Sequence, residues 1–265
     1  MRHGLAAALL LMAFGTSLWG CEARVNRERD NYGFLELHKA AREGNVALAQ
    51  KLIQEGAKVN LTDMDGMTPL HSAAKNNFLD LATLLLKNHA DATILTEEGW
   101  DALHLAAWRE HPEMVNLLLS FGATANRKTD RGWTVVHMAA FKGNIPVLDA
   151  INRDWPAYQT TERPSLDDLD KDGNAPIHLA LKQGKLQMAN FLVMKRAKLN
   201  IADKDGSTPL HLAIPSGDVE LVRLMVSQGA DANARNGAGK TPYTLCAEQN
   251  NVPMAQIILA AGGLQ

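Results

Sequence analysis

Histidine is the residue type in this chain that most directly suggests chemistry, because neutral imidazole is a common ligand of zinc and other transition metals. Of nine histidines, six occupy one recurring position: His38, His71, His104, His137, His178 and His211. The sequence contains no His-Glu-x-x-His segment, which would place two imidazoles on one helix face. Histidines that recur at so wide a spacing lie too far apart to share one ion. We therefore predict a structural role for them, with no metal site and no cofactor.

The other reactive residue types also point away from catalysis. Two cysteines, Cys21 and Cys246, are too few for a disulfide framework or a four-cysteine zinc site. Residues 234–241 imitate a phosphate-binding loop, but Ala234 stands where that loop needs its first glycine. The four aspartates between 167 and 172 lack the spacing of an EF-hand, which leaves a solvated loop or a weak cation site. We find no nucleophile triad or carboxylate pair and predict that the chain is not an enzyme.

Composition limits the remaining classes of protein. Hydrophobic residues make up 46% and charged residues 21% of the 265 residues, as in an ordinary soluble globular protein. That balance excludes a disordered chain, a collagen and a protein with several membrane spans. The net charge of −2 argues against a partner that is a nucleic acid, whose binding requires many basic residues to neutralise phosphates.

The residues around the histidines recur with a period of 33. Thr68-Pro69-Leu70-His71 has counterparts that begin at residues 35, 101, 134, 175, 208 and 241. A glycine stands two residues before the segments that begin at 68, 101, 134, 175, 208 and 241, as Gly66 precedes Thr68. Only the step from His137 to His178 breaks the period, at 41 residues, and therefore contains an insertion.

This pattern resembles the ankyrin repeat, which has the same period and the same Thr-Pro-Leu-His signature. The resemblance covers residues 33–265 and implies an all-α solenoid of about seven helix-turn-helix repeats with β-turn fingers. In the family the histidine forms a hydrogen bond between adjacent repeats. Thr-Pro is suited to open the first helix of each repeat. The threonine oxygen caps free N–H groups of the first turn, and proline has no N–H there that would need a partner. We expect repeats 1 and 7 to be terminal caps, since repeat 7 has Thr244 in place of the histidine.

Aromatic residues are concentrated at the positions that face partners in ankyrin repeats, the finger tips and the ends of the inner helices. Trp100 and Trp133 hold equivalent finger positions, and Trp108 and Phe141 hold equivalent helix positions. Two adjacent ladders of aromatic residues flanked by basic side chains are typical of a binding hot spot. The alternative is that these rings pack on one another and only stiffen the fingers. The predicted protein-binding residues in repeats 2–4 are Met64, Met67, Trp100, Trp108, Arg109, Arg131, Trp133, Phe141 and Lys142.

The insertion near residues 154–169 separates repeats 4 and 5. Trp155 and Tyr158 lie in it and would extend the same surface, because long loops of repeat proteins often carry function. A surface loop without a function is the alternative.

The first 20 residues are typical of a secretory signal peptide, with a basic start and an apolar run too short to span a membrane. The segment Leu18-Trp19-Gly20-Cys21 resembles a bacterial lipobox, which implies lipidation of Cys21 and attachment to a membrane. Residues 21–32 then form the lipidated cysteine and a polar tether. We expect a lipid-anchored protein of the periplasm, on the outer membrane rather than the inner because Glu22 follows the cysteine. The alternative is a soluble secreted or periplasmic protein.

These features together predict a monomeric protein-binding module. Ankyrin lipoproteins of this layout resemble immunity proteins that bind and inhibit antibacterial effectors, such as phospholipases delivered by a type VI secretion system. An envelope scaffold for a resident or stress-response enzyme is the alternative, because fold alone does not decide function.

Overall fold

The computed structural model describes residues 36–153 and 164–264, where 14 α-helices and one short 3-10 helix are formed and no residue is in a strand. The predicted all-α fold is confirmed, with two helices for each recurring motif. Cys21, Trp155 and Tyr158 lie outside the described residues, as do the predicted signal peptide and tether, so these stay predictions. The chain divides into two compact units between Arg109 and Glu110.

Unit 1 contains five helices, in which inner helices alternate with outer ones. The inner helices α1, α3 and α5 pack in a row, and the outer helices α2 and α4 pack beside each other. Their bounds are α1 Glu36–Glu43, α2 Val46–Gln54, α3 Pro69–Lys75, α4 Leu79–Lys87 and α5 Ala102–Trp108.

Unit 2 contains nine α-helices in the same alternation. The inner helices α7, α9, α11 and α13 stack on one another, and the outer helices α6, α8, α10, α12 and α14 form a second row. Their bounds are α6 Pro112–Ser120, α7 Val135–Lys142, α8 Ile145–Arg153, α9 Pro176–Lys182, α10 Leu186–Met194, α11 Pro209–Ala213, followed by the 3-10 helix Ile214–Ser216, α12 Val219–Ser227, α13 Pro242–Glu248 and α14 Val252–Ala260.

The core of each unit lies between its two rows of helices. Small residues on the inner helices, such as Ala73 and Ala74 on α3, are fully buried and let neighbouring helices approach closely. Large side chains of the outer helices, such as Leu85 in unit 1 and Leu118 in unit 2, fill the space behind them. No repeat buries this surface alone, so stability comes from contacts between neighbouring repeats.

In the inner helices α3, α5, α7, α9 and α11 the recurring histidine contributes to the helix cap, because its Nδ1 lies within hydrogen-bond distance of the backbone N–H of the residue before the helix. In α3 the Thr68 hydroxyl accepts a hydrogen bond from His71 N, and the Nδ1 atom of His71 accepts one from Thr68 N at 3.0 Å. The sequence predicts the threonine half of this arrangement but not the histidine half. In α5, Asp101 replaces the threonine and caps His104 N at 2.9 Å.

Repeat 7 ends in a largely apolar region. Its helix α14 is uncharged, and Val252 is 61% and Leu264 68% exposed on and beside it. Terminal repeats of soluble solenoids usually carry a polar outer face. The end of unit 2 therefore has an apolar surface that the motif pattern does not reveal.

The finger glycines of the described residues have a left-handed backbone, and several of them also lie close to the backbone of the next finger. At Gly206 (φ +71°) an added Cβ would lie 2.6 Å from the backbone nitrogen of Gly237. At Gly239 (φ +75°), which occupies the same finger position in the last repeat, an added Cβ meets no atom within 4 Å.

We expect Gly206→Ala to destabilise unit 2 by about 2 kcal/mol more than Gly239→Ala, because only Gly206→Ala adds a backbone clash to the strain of positive φ. Urea unfolding of both variants followed by far-UV circular dichroism measures the difference. Equal losses would show that the fingers separate at little cost.

Candidate functional site

The fingers that carry the predicted site are fixed by hydrogen bonds of their own. The Thr96 hydroxyl accepts from Trp100 N at 3.1 Å, and Thr96 N donates to Trp100 O at 2.8 Å, which closes the finger that holds Trp100. In the preceding finger, Asp63 Oδ1 accepts from Met67 N at 2.9 Å. Glu97 N donates to Asp65 O at 3.2 Å and joins the two fingers. The finger that holds Trp100 is therefore fixed both by bonds within it and by a bond to the preceding finger.

A cleft of about 430 Å³ lies in unit 1 between these two fingers and the ends of the inner helices. Its central wall is a pair of half-buried tryptophans, Trp100 and Trp108, whose rings meet edge to face with centroids 5.6 Å apart. The lining residues are Asp65, Met67, Lys75, Thr96, Glu97, Glu98, Trp100, Leu105, Trp108 and Arg109. The structure thus brings four predicted residues into one cleft: Met67, Trp100, Trp108 and Arg109. Met64 is 66% exposed and does not line it.

The other predicted aromatic residues form a second pair, in unit 2. Trp133 and Phe141 are half-buried with ring centroids 5.1 Å apart at an angle of 47°. In each of these two repeats, the finger tryptophan packs against the inner-helix aromatic residue of the same repeat. Arg131, two residues before Trp133, is exposed. Lys142, which follows Phe141 directly, is half-buried.

Trp133 also has a structural hydrogen bond that sequence reasoning missed. Its indole N–H donates to Asp170 Oδ2 at 3.0 Å, and Asp170 is buried in the next finger. Trp133→Ala would remove a donor from this buried carboxylate, so that variant would report on stability as well as on binding. Trp100 has no such bond to another described residue and is the cleaner residue for a binding test.

Asp170 begins a polar network along the fingers of unit 2. Asn174 Nδ2 donates to Asp170, and Lys182 Nζ donates to Asn174 Oδ1 at 2.7 Å and pairs with Asp203 Oδ2 at 2.8 Å. Burial opposes ionisation of Asp203, but the Lys182 ammonium and two backbone N–H groups lower the pKa of that carboxyl overall. The signal in the sequence is that Asp170 and Asp203 repeat the finger position of Asp63. Among the aspartates between 167 and 172, Asp170 is thus bonded within the fold, and Asp167 Oδ1 accepts from Lys198 N.

Comparison with known proteins identifies the family to which the chain belongs. The family model described as ankyrin repeats (3 copies) matches in overlapping segments from residue 37 to residue 264. The chain belongs to the ankyrin repeat family. The ankyrin repeat domain of human ASB11 is 25% identical, with a TM-score of 0.70 over 88% of this chain and 100% of that one. The ankyrin repeat domain of Bcl-3, described as a member of the IkappaB protein family, is 26% identical, with a TM-score of 0.73 over 86% of this chain and 99% of that one. No curated protein sequence matches the chain significantly.

Ankyrin repeats mediate binding to other proteins, so this chain is a protein-interaction module. Homologous repeat domains are typically non-catalytic. In the described ranges no helix is long and apolar enough to cross a membrane.

The ankyrin histidines occupy the inter-repeat positions that the resemblance implied. Nε2 of His71 lies 3.2 Å from Trp100 O, and Nε2 of His137 lies 3.2 Å from Asn174 O. Because Nδ1 accepts from the helix cap, Nε2 carries the proton and donates to the next repeat. Among the described residues, no three potential metal-ligating side chains come together. Cys246 is buried, and burial raises the pKa of its thiol, which makes it a poor nucleophile.

Proposed function

We propose that this ankyrin chain is an immunity protein of the bacterial envelope, which binds and inhibits an antibacterial effector such as a phospholipase delivered by a type VI secretion system. The observation that carries the binding part is the cleft of unit 1, where two half-buried tryptophans are available beside charged residues. Tryptophan and arginine are the residues most enriched at the energetic centres of protein interfaces. The envelope part depends on the N-terminal sequence, in which the lipobox resemblance ends at Cys21.

The two parts of the proposal support each other. A lipid on Cys21 and the tether up to residue 32 would hold the ankyrin repeats at a membrane surface. A phospholipase effector acts at that surface, so an inhibitor placed there meets it before damage occurs. The cleft is wide enough for side chains of a protein partner and is open to solvent.

We expect Trp100→Ala to weaken partner binding about thirty-fold, equivalent to about 2 kcal/mol, while the fold is retained. The full chain is expressed with its leader and a C-terminal tag, and proteins captured from envelope extract are compared between wild type and variant. The partner is then titrated against each purified chain to obtain the ratio of dissociation constants.

Phe121→Ala is the matched control, because Phe121 is a large exposed aromatic residue outside the cleft. It should bind as the wild type does. Equal binding by wild type and Trp100→Ala would show that the tryptophan pair is structural only.

Deletion of the gene separates immunity from an envelope scaffold. An immunity protein protects only against sibling cells that deliver the effector, so the deletion strain should be killed in co-culture and grow normally alone. A growth or stress defect in isolated cells, with no loss in co-culture, would favour the scaffold.

A further inference from the structure

The charges around the unit 1 cleft are separated by position. Asp65, Glu97 and Glu98 come from the two finger tips, are exposed, and form no ion pair with any described residue. The basic side chains come from the opposite edge, where Lys75 ends α3 and Arg109 follows α5. The finger edge of the cleft is therefore negative and the helix edge is positive.

A hydrogen bond between the two fingers holds the backbone of the finger edge in place. The bond from Glu97 N to Asp65 O fixes the backbone of two of the three acidic residues relative to each other. At Gly66, between them, an added Cβ would lie 2.9 Å from Glu97 N, so the fingers touch through backbone without a side chain between them. The three carboxylates are thus presented together and do not depend on a flexible loop.

The tryptophan wall adds a second attraction for a cation. Trp100 belongs to the finger that carries Glu97 and Glu98, and its ring is packed edge to face against Trp108 so that the pair is held in place. The face of a tryptophan ring attracts a positive group through its quadrupole. A planar guanidinium satisfies both features, because it stacks on an aromatic face and pairs with carboxylates through its remaining N–H groups.

We infer that the cleft receives an exposed arginine side chain of the partner protein, with its guanidinium at the finger edge between Trp100 and the acidic tips. This inference rests on the proposed binding function and specifies what the partner must present. Lysine fits less well, because its ammonium is strongly hydrated and cannot stack. An acidic side chain at the same point would meet three negative charges.

The test uses short peptides as probes and the indole N–H signals of the full chain labelled with 15N-tryptophan. The peptides share the sequence acetyl-Gly-Leu-X-Leu-Gly-amide, in which X is arginine, lysine, glutamine or glutamate. Assignment comes from Trp100→Phe and Trp108→Phe variants. We expect the arginine peptide to move the Trp100 and Trp108 signals, to leave the Trp133 signal in place, and to bind about tenfold tighter than the glutamate peptide.

The double variant Glu97→Gln/Glu98→Gln keeps the shape of the side chains and removes two charges, so the preference for arginine should fall severalfold. Glu113→Gln is the control, because Glu113 is an exposed carboxylate on α6 outside the cleft. Absence of a shift with the arginine peptide, or equal binding of the arginine and glutamate peptides, would overturn the inference. If the double variant then still binds the captured partner as the wild type does, only the arginine assignment falls, since dependence on Trp100 tests the binding function separately.

Discussion

Acidification from pH 7 to 5 should destabilise this protein. Burial lowers the pKa of five histidines below 6.5 in the folded chain: His38, His71, His137, His178 and His211. Hydrogen bonds to backbone carbonyls of the next repeat and nearby aspartates such as Asp63 and Asp170 oppose this effect and do not cancel it.

The direction follows from proton linkage. Below pH 6.5 the unfolded chain takes up protons on these histidines and the folded chain does not, so unfolding becomes easier as the pH falls. The contribution of the neutral histidines to the free energy of unfolding is fully present above pH 6.5. It decreases as the pH falls and stops decreasing only below the pKa values that the histidines have in the folded chain. Each histidine adds at most about 1.4 kcal/mol per pH unit to the slope of the free energy of unfolding against pH. The slope is therefore at most about 3 kcal/mol per pH unit for the two histidines of unit 1 and about 4 for the three of unit 2.

Urea unfolding at closely spaced pH values between 8 and 5 measures this slope at constant ionic strength. His71→Gln offers a matched comparison, because the amide keeps a donor and an acceptor and does not titrate. The variant should have a shallower slope in unit 1. A free energy of unfolding that stays constant between pH 7 and pH 5.5 would contradict the assignment of neutral buried histidines.

Replacement of one of these buried histidines by alanine should also lower the free energy of unfolding strongly. We expect His137→Ala to destabilise unit 2 by about 4 kcal/mol, from lost hydrogen bonds and a cavity. The ring is fully buried, and its Nδ1 lies 3.2 Å from Thr134 N and 2.9 Å from Thr134 Oγ1. Its Nε2 donates to Asn174 O across to the next repeat. The substitution leaves these groups buried without a partner.

Repeat 7 contains a natural comparison for this experiment. Thr244 occupies the histidine position there, is half-buried, and its hydroxyl bonds only to the Thr241 hydroxyl at 2.9 Å. Thr244→Ala should therefore cost about 1 kcal/mol or less. Hydrogen exchange of the α7 and α9 amides reports the His137 effect locally. A loss at His137 no larger than that at Thr244 would mean that water replaces the imidazole without cost.

Much of the fold can be predicted from the sequence, because the period of the motif is long and its residues have fixed mechanical roles. Thr68-Pro69 marks a helix start, and Gly66 marks a turn with positive φ. The contacts of the site are harder to foresee. Trp133 reaches Asp170 across the inserted segment, and the sequence separation of 37 residues has no counterpart in the regular period. The pairing of Trp100 with Trp108 depends on side-chain rotation, which spacing does not determine.

The apolar end of unit 2 was missed for a related reason. Helix α14 has the same pattern of residues as the outer helices that precede it, although Val252 and Leu264 are exposed on and beside it. A residue pattern identifies apolar side chains and does not show which of them stay exposed.

Main-chain bonds join successive fingers: Lys171 N to Arg131 O, Lys204 N to Asp172 O and Gly237 N to Asp205 O in unit 2, and Glu97 N to Asp65 O in unit 1. Side chains at the tips can therefore change during evolution without altering the scaffold that holds them. A lineage that meets a new target could acquire a new specificity through substitutions at a few tips, while the buried histidines and glycines stay as they are. Libraries randomised at these tips should accordingly yield many folded proteins that differ in what they recognise.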